Sequence, residues 1–156
     1  MRSLLLALAV TTSLLACRPE HRIYAEHKEL SPNVEWLKKD VREFSVPIED
    51  KSIAYDLTLM FRYATGYQYE TAHVKVTETS PSGKEVVKEY ELKIREVNGD
   101  YIGEAGFDIW DSEHLVESHK TYEETGTYSY TIEQNTPVDP LNFAMEIGII
   151  VDKASK

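Results

Sequence analysis

The chain has 156 residues, with 27 Asp and Glu against 17 Lys and Arg, a formal charge of −10 and a single cysteine. That acidic balance argues against nucleic acid and against broad adhesion to anionic lipid headgroups, and one cysteine excludes an internal disulfide framework. The length is that of one domain, enough to bury a core without covalent staples.

Arg2 is followed by an apolar run from Leu4 to Ala16, interrupted at Thr11-Thr12-Ser13 and ending at Cys17. Charged, apolar and small-residue regions in that order are those of a secretory signal. The run falls short of the roughly 20 apolar residues needed to cross a bilayer. Leu14-Leu15-Ala16-Cys17 is similar to a bacterial lipobox, which implies diacylation of the Cys17 thiol, cleavage between Ala16 and Cys17, and acylation of the new amine. Residues 1–16 are then a signal peptide, and Cys17 carries the covalent acyl lipid, of the palmitate kind. Cleavage removes Arg2, so Lys and Arg fall from 17 to 16 and the mature charge is −11. Several acyl chains on one residue hold a protein at a membrane where a single chain does so only marginally.

Residues 17–33 carry Pro19, Pro32, mixed charge and few bulky apolar side chains, which predicts a lipidated tether pinned at Ile23-Tyr24. A helical turn is expected over Glu35 to Arg42, with Trp36 and Leu37 inward. From Phe44 onward the period is 2. Phe44, Val46 and Ile48 alternate with Ser45 and Pro47, and the proline points to an edge strand. Ile53, Tyr55, Leu57, Leu59, Phe61 and Tyr63 form the longest clean alternation. Ala72, Val74 and Val76 precede a Ser80-Pro81-Ser82-Gly83 turn. Val86, Tyr90, Leu92 and Ile94 return, with Lys88 as the exception. Asn98-Gly99 predicts a type I′ hairpin, whose two central residues both need positive φ.

Gly103 and Gly106 predict a bulge or sharp corner ahead of Phe107, Ile109 and Trp110. Val116 to Tyr122 is a weaker strand, Glu123 to Gly126 turns, and Tyr128, Tyr130 and Ile132 alternate again. Pro137 to Pro140 breaks the chain, Leu141 and Phe143 plug one end of the core, and Met145, Ile147, Ile149 and Val151 form the last strand. Gly148 within it marks a close neighbour. About eight short strands with regular turns and almost no 3.6 period predict an all-β fold, an antiparallel β-sandwich over residues 34–153.

Phosphate loops, a Gly-x-Ser-x-Gly elbow and a free thiol are missing from the mature sequence. His114 and His119, five apart, suit neither a helical nor a one-faced strand metal pair and are expected as exposed residues. Asp108, Asp111 and Glu113 match no calcium loop. No catalytic residue, metal ligand or cofactor is therefore expected, a hydrolase using Asp108 or Asp111 being the remaining alternative. Of the ten tyrosines, Tyr55, Tyr63, Tyr90, Tyr128 and Tyr130 fall on the predicted inward face. Tyr67, Tyr69 and Trp110 are left as exposed aromatic contacts. With Asp108 and Asp111 they make the candidate interaction surface; for protein contacts an exposed edge strand offers docking by strand addition, with the Gly103 to Asp111 corner as the alternative surface.

Behind the lipobox come Trp36, Tyr55-Asp56-Leu57 with Arg62, Tyr67, Pro81-Ser82-Gly83, Gly103-Glu104-Ala105-Gly106 with Asp108-Ile109-Trp110-Asp111, Gly126-Thr127-Tyr128, Ile132-Glu133-Gln134, Leu141 and Glu146-Ile147-Gly148-Ile149. In order and spacing this set resembles the gliding-motility lipoprotein GldH family. The resemblance implies a non-enzymatic lipoprotein of the cell envelope, at the outer membrane, associated with the gliding machinery and the secretion system sharing its components. Its implied partners are the membrane, through the anchor, and other envelope or gliding-machinery proteins. The alternative is a surface lipoprotein that captures glycan or peptide through Tyr67, Tyr69 and Trp110.

Overall fold

A computed structural model describes residues 21–155; the signal, Ala16 and Cys17 lie outside them. The strands are β1 (Arg22–Glu29), β2 (Glu35–Trp36), β3 (Arg42–Ile48), β4 (Tyr55–Ala64), β5 (Thr71–Thr79), β6 (Glu85–Lys93), β7 (Glu104–Ala105), β8 (Ile109–Lys120), β9 (Gly126–Gln134), β10 (Leu141–Asn142) and β11 (Ala144–Lys153). A five-stranded sheet in the order β1-β11-β4-β8-β7 faces a four-stranded sheet in the order β3-β9-β5-β6, with β10-β2 as a small third pair. All pairings are antiparallel. The expected all-β sandwich is the observed fold.

Period-2 patterning explains which face each strand buries. Tyr55, Leu57, Leu59, Phe61 and Tyr63 of β4 are all buried, and each residue between them is half-exposed. Phe44, Val46 and Ile48 of β3, Ala72, Val74 and Val76 of β5, and Tyr128, Tyr130 and Ile132 of β9 supply the opposing layer. β3, the strand holding Pro47, is an edge, so its missing amide donor is harmless there. Gly148 of β11 does lie under a neighbour: a Cβ there would come within 2.7 Å of the Glu26 carbonyl, 2.8 Å of Met60 Cε and 2.9 Å of His27 Cβ. Gly148→Val is therefore expected to lower stability by about 1–3 kcal/mol through overpacking, read as a lower urea midpoint at unchanged slope.

Three expectations are corrected. Residues 22–29 are not tether: β1 pairs along β11, from Ala25 with Ile150 to Glu29 with Glu146. As an edge strand β1 needs only one backbone ladder, so Glu26, His27 and Lys28 can stay polar and no alternation announces it. Glu35 to Arg42 is not helical; Trp36 is held in the β2-β10 pair opposite Leu141, and its indole Nε1 donates to the Asp40 carbonyl at 2.6 Å. At Asn98-Gly99 only Gly99 has positive φ, at 90°. Glu96 donates to Asp100 and Gly99 donates to Glu96, a longer hairpin loop closed by the glycine.

The two open sides of the sandwich are clasped by polar side chains. On one side Lys28 of β1 donates to the Glu43 carbonyl of β3 at 2.5 Å, and Arg42 reaches back to the carbonyls of Glu29 and Leu30. On the other, Lys88 of β6 meets Glu117 of β8 at 2.7 Å. Lys88 breaks the alternation because it crosses between sheets.

The loops sort into two ends. The 49–54, 80–84 and 121–125 connections lie at the end where β1 begins, since Asp56 pairs with Asp152, and Tyr55 with both Lys153 and Lys120. The 65–70, 94–108 and 135–143 segments lie at the opposite end, where Ala64 pairs with Ile109 and Tyr63 with Ala144. Ten-residue β4 separates these ends by about 30 Å at some 3.3 Å per residue.

Candidate interaction surface

The Gly103 to Asp111 corner stands at the end opposite the start of β1. Gly103 has a φ of 126°, and any Cβ there would overlap the Asp111 carbonyl, so only glycine lets β7 lie this close to β8. The Gly106 amide donates to the Ile109 carbonyl at 2.7 Å, leaving Phe107 and Asp108 at the hairpin apex. The Asp108 carbonyl accepts from the Thr65 amide at 2.9 Å, and Trp110 Nε1 donates to Thr65 Oγ1 at 3.2 Å. Behind the apex the Trp110 ring lies 5.2 Å from Tyr101, which lies 5.8 Å from Tyr63, itself 5.5 Å from Tyr67. Tyr101 receives the Gly66 amide on its hydroxyl and the Arg95 guanidinium over its ring at 4.9 Å.

The result is a stiff bracket with an apolar tip. Phe107 is 101% exposed and Val97, in the neighbouring 95–101 loop, is 94% exposed. Phe107→Ser is expected to change stability by no more than about 0.5 kcal/mol, since the ring buries nothing in the fold. Chemical denaturation of the two proteins checks this, and a larger loss would mean the ring packs within the domain.

Beside the bracket, the outer face of the five-stranded sheet carries an ion-pair cluster. Register places Asp111, Arg62 and Glu146 side by side on β8, β4 and β11. Arg62 Nε and Nη2 contact the two Asp111 carboxylate oxygens at 2.6 and 3.0 Å, and Nη1 reaches Glu146 Oε1 at 2.7 Å. Hydrogen bonding to Asp111, against the opposing effect of burial and with help from Glu146, raises the Arg62 pKa further above its ordinary value. A shallow cavity of about 230 Å³ opens here, between Met60, Arg62, Glu104, Asp111 and Glu146. The bidentate contact fixes the Asp111 carboxylate and the third bond holds Glu146, so one guanidinium orients two carboxylates and offsets one of their two charges.

The predicted surface residues are partly brought together. Asp108 and Asp111 are exposed on the corner, and Trp110 is half-buried against Tyr101. Tyr69 is half-buried, edge-on to Tyr67 at 5.8 Å. Tyr67 is the correction: it is fully buried, donating to the Thr71 carbonyl at 3.1 Å, and burial pushes its pKa up. Its ring fills the end of the core against Phe61 and Tyr63, so it offers no face to a sugar. His114 is also corrected from exposed to half-buried: it points inward, 3.0 Å from Ser112 Oγ, and burial lowers its pKa. His119 is exposed. Among the described residues no three or more His, Cys, Asp or Glu gather as a metal site.

Sequence reasoning missed the network at the β6-β8 side. Lys120 pairs with Glu78 at 2.8 Å and Glu117 at 3.2 Å. Glu117 also accepts from Tyr90 at 2.8 Å, and Tyr130 donates to Glu78 at 2.8 Å while sharing a hydrogen bond with Tyr122 at 2.7 Å. Burial alone would raise the Glu117 pKa, but the bonds from Lys88 and Tyr90 and the charge of Lys120 outweigh it and hold it low. Burial would likewise lower Lys120, and the two carboxylates outweigh that and raise it. The one signal was Lys88 standing on an otherwise apolar face.

With this geometry in view, comparison with known proteins is informative. The model of the family described as GldH lipoprotein matches residues 22–151. A protein of Christiangramia forsetii named gliding motility lipoprotein GldH homolog is 24% identical over 151 residues, covering 92% of this chain and 91% of that one. Among solved structures, a family GH115 4-O-methyl-alpha-glucuronidase with specificity for decorated arabinogalactans is 11% identical at a TM-score of 0.46. That match covers 94% of this chain but only 19% of the enzyme, and it bears no argument about activity. The family match runs through nearly every strand described above, from the start of β1 into β11. The chain belongs to the GldH lipoprotein family.

Proposed function

We propose that this protein is a non-enzymatic, lipid-anchored component of the gliding-motility machinery and of the secretion machinery associated with it, held at the outer membrane through acylated Cys17. Cleavage between Ala16 and Cys17 frees the amine for acylation, and the folded domain acts through protein contacts. The observation that carries this reading is the bracketed corner, an exposed apolar tip fixed on a rigid support, which costs little ordering entropy when a partner closes over it. The relative of like length is named for gliding motility. Asp111 and Glu146 beside the corner are tied into ion pairs with Arg62, an arrangement that suits a recognition surface better than proton transfer.

Edge-strand addition is the less favoured contact mode. β6 carries Glu85, Lys88, Glu89, Glu91 and Lys93, and β3 carries Pro47, both of which blunt an edge. Deleting the gene in the producing bacterium is expected to impair surface spreading or secretion, with both restored by the wild-type chain. Cys17→Ala is expected to move the protein from the membrane to the soluble fraction and to restore neither. Normal spreading and normal secretion in the deletion strain would overturn this function.

A further inference from the structure

The tip of the corner is apolar and its surroundings are predominantly acidic, with Arg95, laid over the Tyr101 ring, as a cation of the neighbouring loop. Between Glu96 and Glu113 the chain carries Glu96, Asp100, Glu104, Asp108, Asp111 and Glu113 and no Lys, Arg or His. Asp108 is adjacent to Phe107 at the apex, and Glu96 is adjacent to Val97. Among these, Asp111 is bound to Arg62 and Glu96 to Lys93, which leaves the acidic character dominant. A single ring presented in this way fits an apolar socket, and the carboxylates around it fit basic groups at the rim of that socket.

The orientation of the domain rests on the anchoring at Cys17 proposed above. Because β1 begins at Arg22, only five residue steps separate Cys17 from the sheet, a reach of at most about 18 Å. β1 starts at the end opposite the corner, so the length of β4 places the tip about 30 Å along the strands from the point where the chain from the anchor enters the sheet. The 49–54 and 121–125 loops lie at the end where β1 begins, and they carry exposed Glu49, Asp50 and Glu123.

We propose that Phe107, together with exposed Val97 of the 95–101 loop that Tyr101 packs onto Trp110, inserts into an apolar socket edged by Lys or Arg on a protein partner that lies on the side of the domain away from the lipid anchor. The surface commits to a basic-rimmed protein, not to the bilayer and not to a second copy of this chain.

The test uses the full-length, natively lipidated chain in its own cells, with a photo-crosslinking phenylalanine analogue at position 107, at 97, or at 51 in the loop at the end where β1 begins. Irradiation at 107 or 97 is expected to give one protein adduct whose joined peptide contains Lys or Arg, and position 51 is not expected to give it. Adding Glu104→Lys and Asp108→Lys is expected to cut that adduct by about tenfold or more, through like-charge repulsion, with thermal unfolding confirming that the charge variant still folds. Absence of the adduct at both 107 and 97, adducts to lipid, an adduct of two copies of this chain, equal yield from position 51, or indifference to the charge reversals would each overturn the proposal. Fractionation of Cys17→Ala separates the two claims. If that variant stays with the membrane, the anchoring fails and the orientation with it, whereas a charge-sensitive adduct at 107 still supports the basic-rimmed socket.

Discussion

Trp36→Ala is expected to lower the unfolding free energy by about 3–5 kcal/mol, the cost of deleting a large buried ring and leaving a cavity. Trp36 is completely buried, and it is where three separate segments meet. Its indole donates to the Asp40 carbonyl, β2 holds it opposite Leu141, and the Gln134 amide beside it donates to the Val138 carbonyl at 3.0 Å. Since a domain of this size is stable by only about 5–15 kcal/mol in total, the variant should be partly unfolded at growth temperature. Trp36→Phe keeps most of the buried area and loses the donor, so it should cost clearly less. Urea unfolding followed by tyrosine fluorescence measures both. A loss below about 1 kcal/mol for the alanine variant would show that the β2-β10 plug lies outside the cooperative core.

Lys120→Met should lower stability at neutral pH by about 2–4 kcal/mol, by removing the cation shared by two largely buried carboxylates. Methionine keeps the apolar stem that lies over the Tyr122 ring, so the change isolates charge from packing. The pH dependence has a defined sign. In the wild type, Glu117 has a depressed pKa, so its contribution is present above its ordinary value of 4.5 and is lost as pH falls through the depressed value. Lys120 has a raised pKa, so its contribution is present below 10.5 and is lost as pH climbs past it. Without Lys120 the partly desolvated Glu117 carboxylate protonates more readily, and a protonated carboxyl needs no cation. The deficit of Lys120→Met should therefore shrink as pH is lowered from 7 toward 4. A deficit that stays constant over that range would assign the loss to packing.

Most of the strand layout is legible in the sequence because it is written by burial on one face. β4 alternates without a fault from Tyr55 to Tyr63, and β9 does so from Tyr128 to Gln134. Where a strand buries little, the pattern disappears: β1 docks along β11 through backbone hydrogen bonds, and only Ile23 and Tyr24 of its side chains pack against the core. The site is less legible still. Asp111 and Glu146 lie 49 and 84 residues from Arg62, and only the registers of two strand pairs bring them together. Asp108 and Asp111 emerge at the corner because the paired glycines announce it. Tyr67 does not, because a tyrosine in a connecting segment gives no periodicity to show that it turns inward. Phe107 reads as the first residue of a strand, and its position at the apex follows from the Gly106 to Ile109 closure. The proposed lipobox needs no fold to be read, since acylation at Cys17 would depend on the local residues alone.

The docking of β1 also governs how the domain carries load. Hydrogen bonds in an antiparallel pair run perpendicular to the strands. A pull between the start of β1 and the Phe107 corner runs nearly parallel to them, because the two points lie at opposite ends of the five-stranded sheet. Traction in that direction shears the β1-β11 ladder, so its bonds resist together, whereas a sideways pull on His21 would peel them one after another. The strand order thus makes the domain strongest along the line joining its first strand to its exposed tip, the geometry of a mechanical coupler.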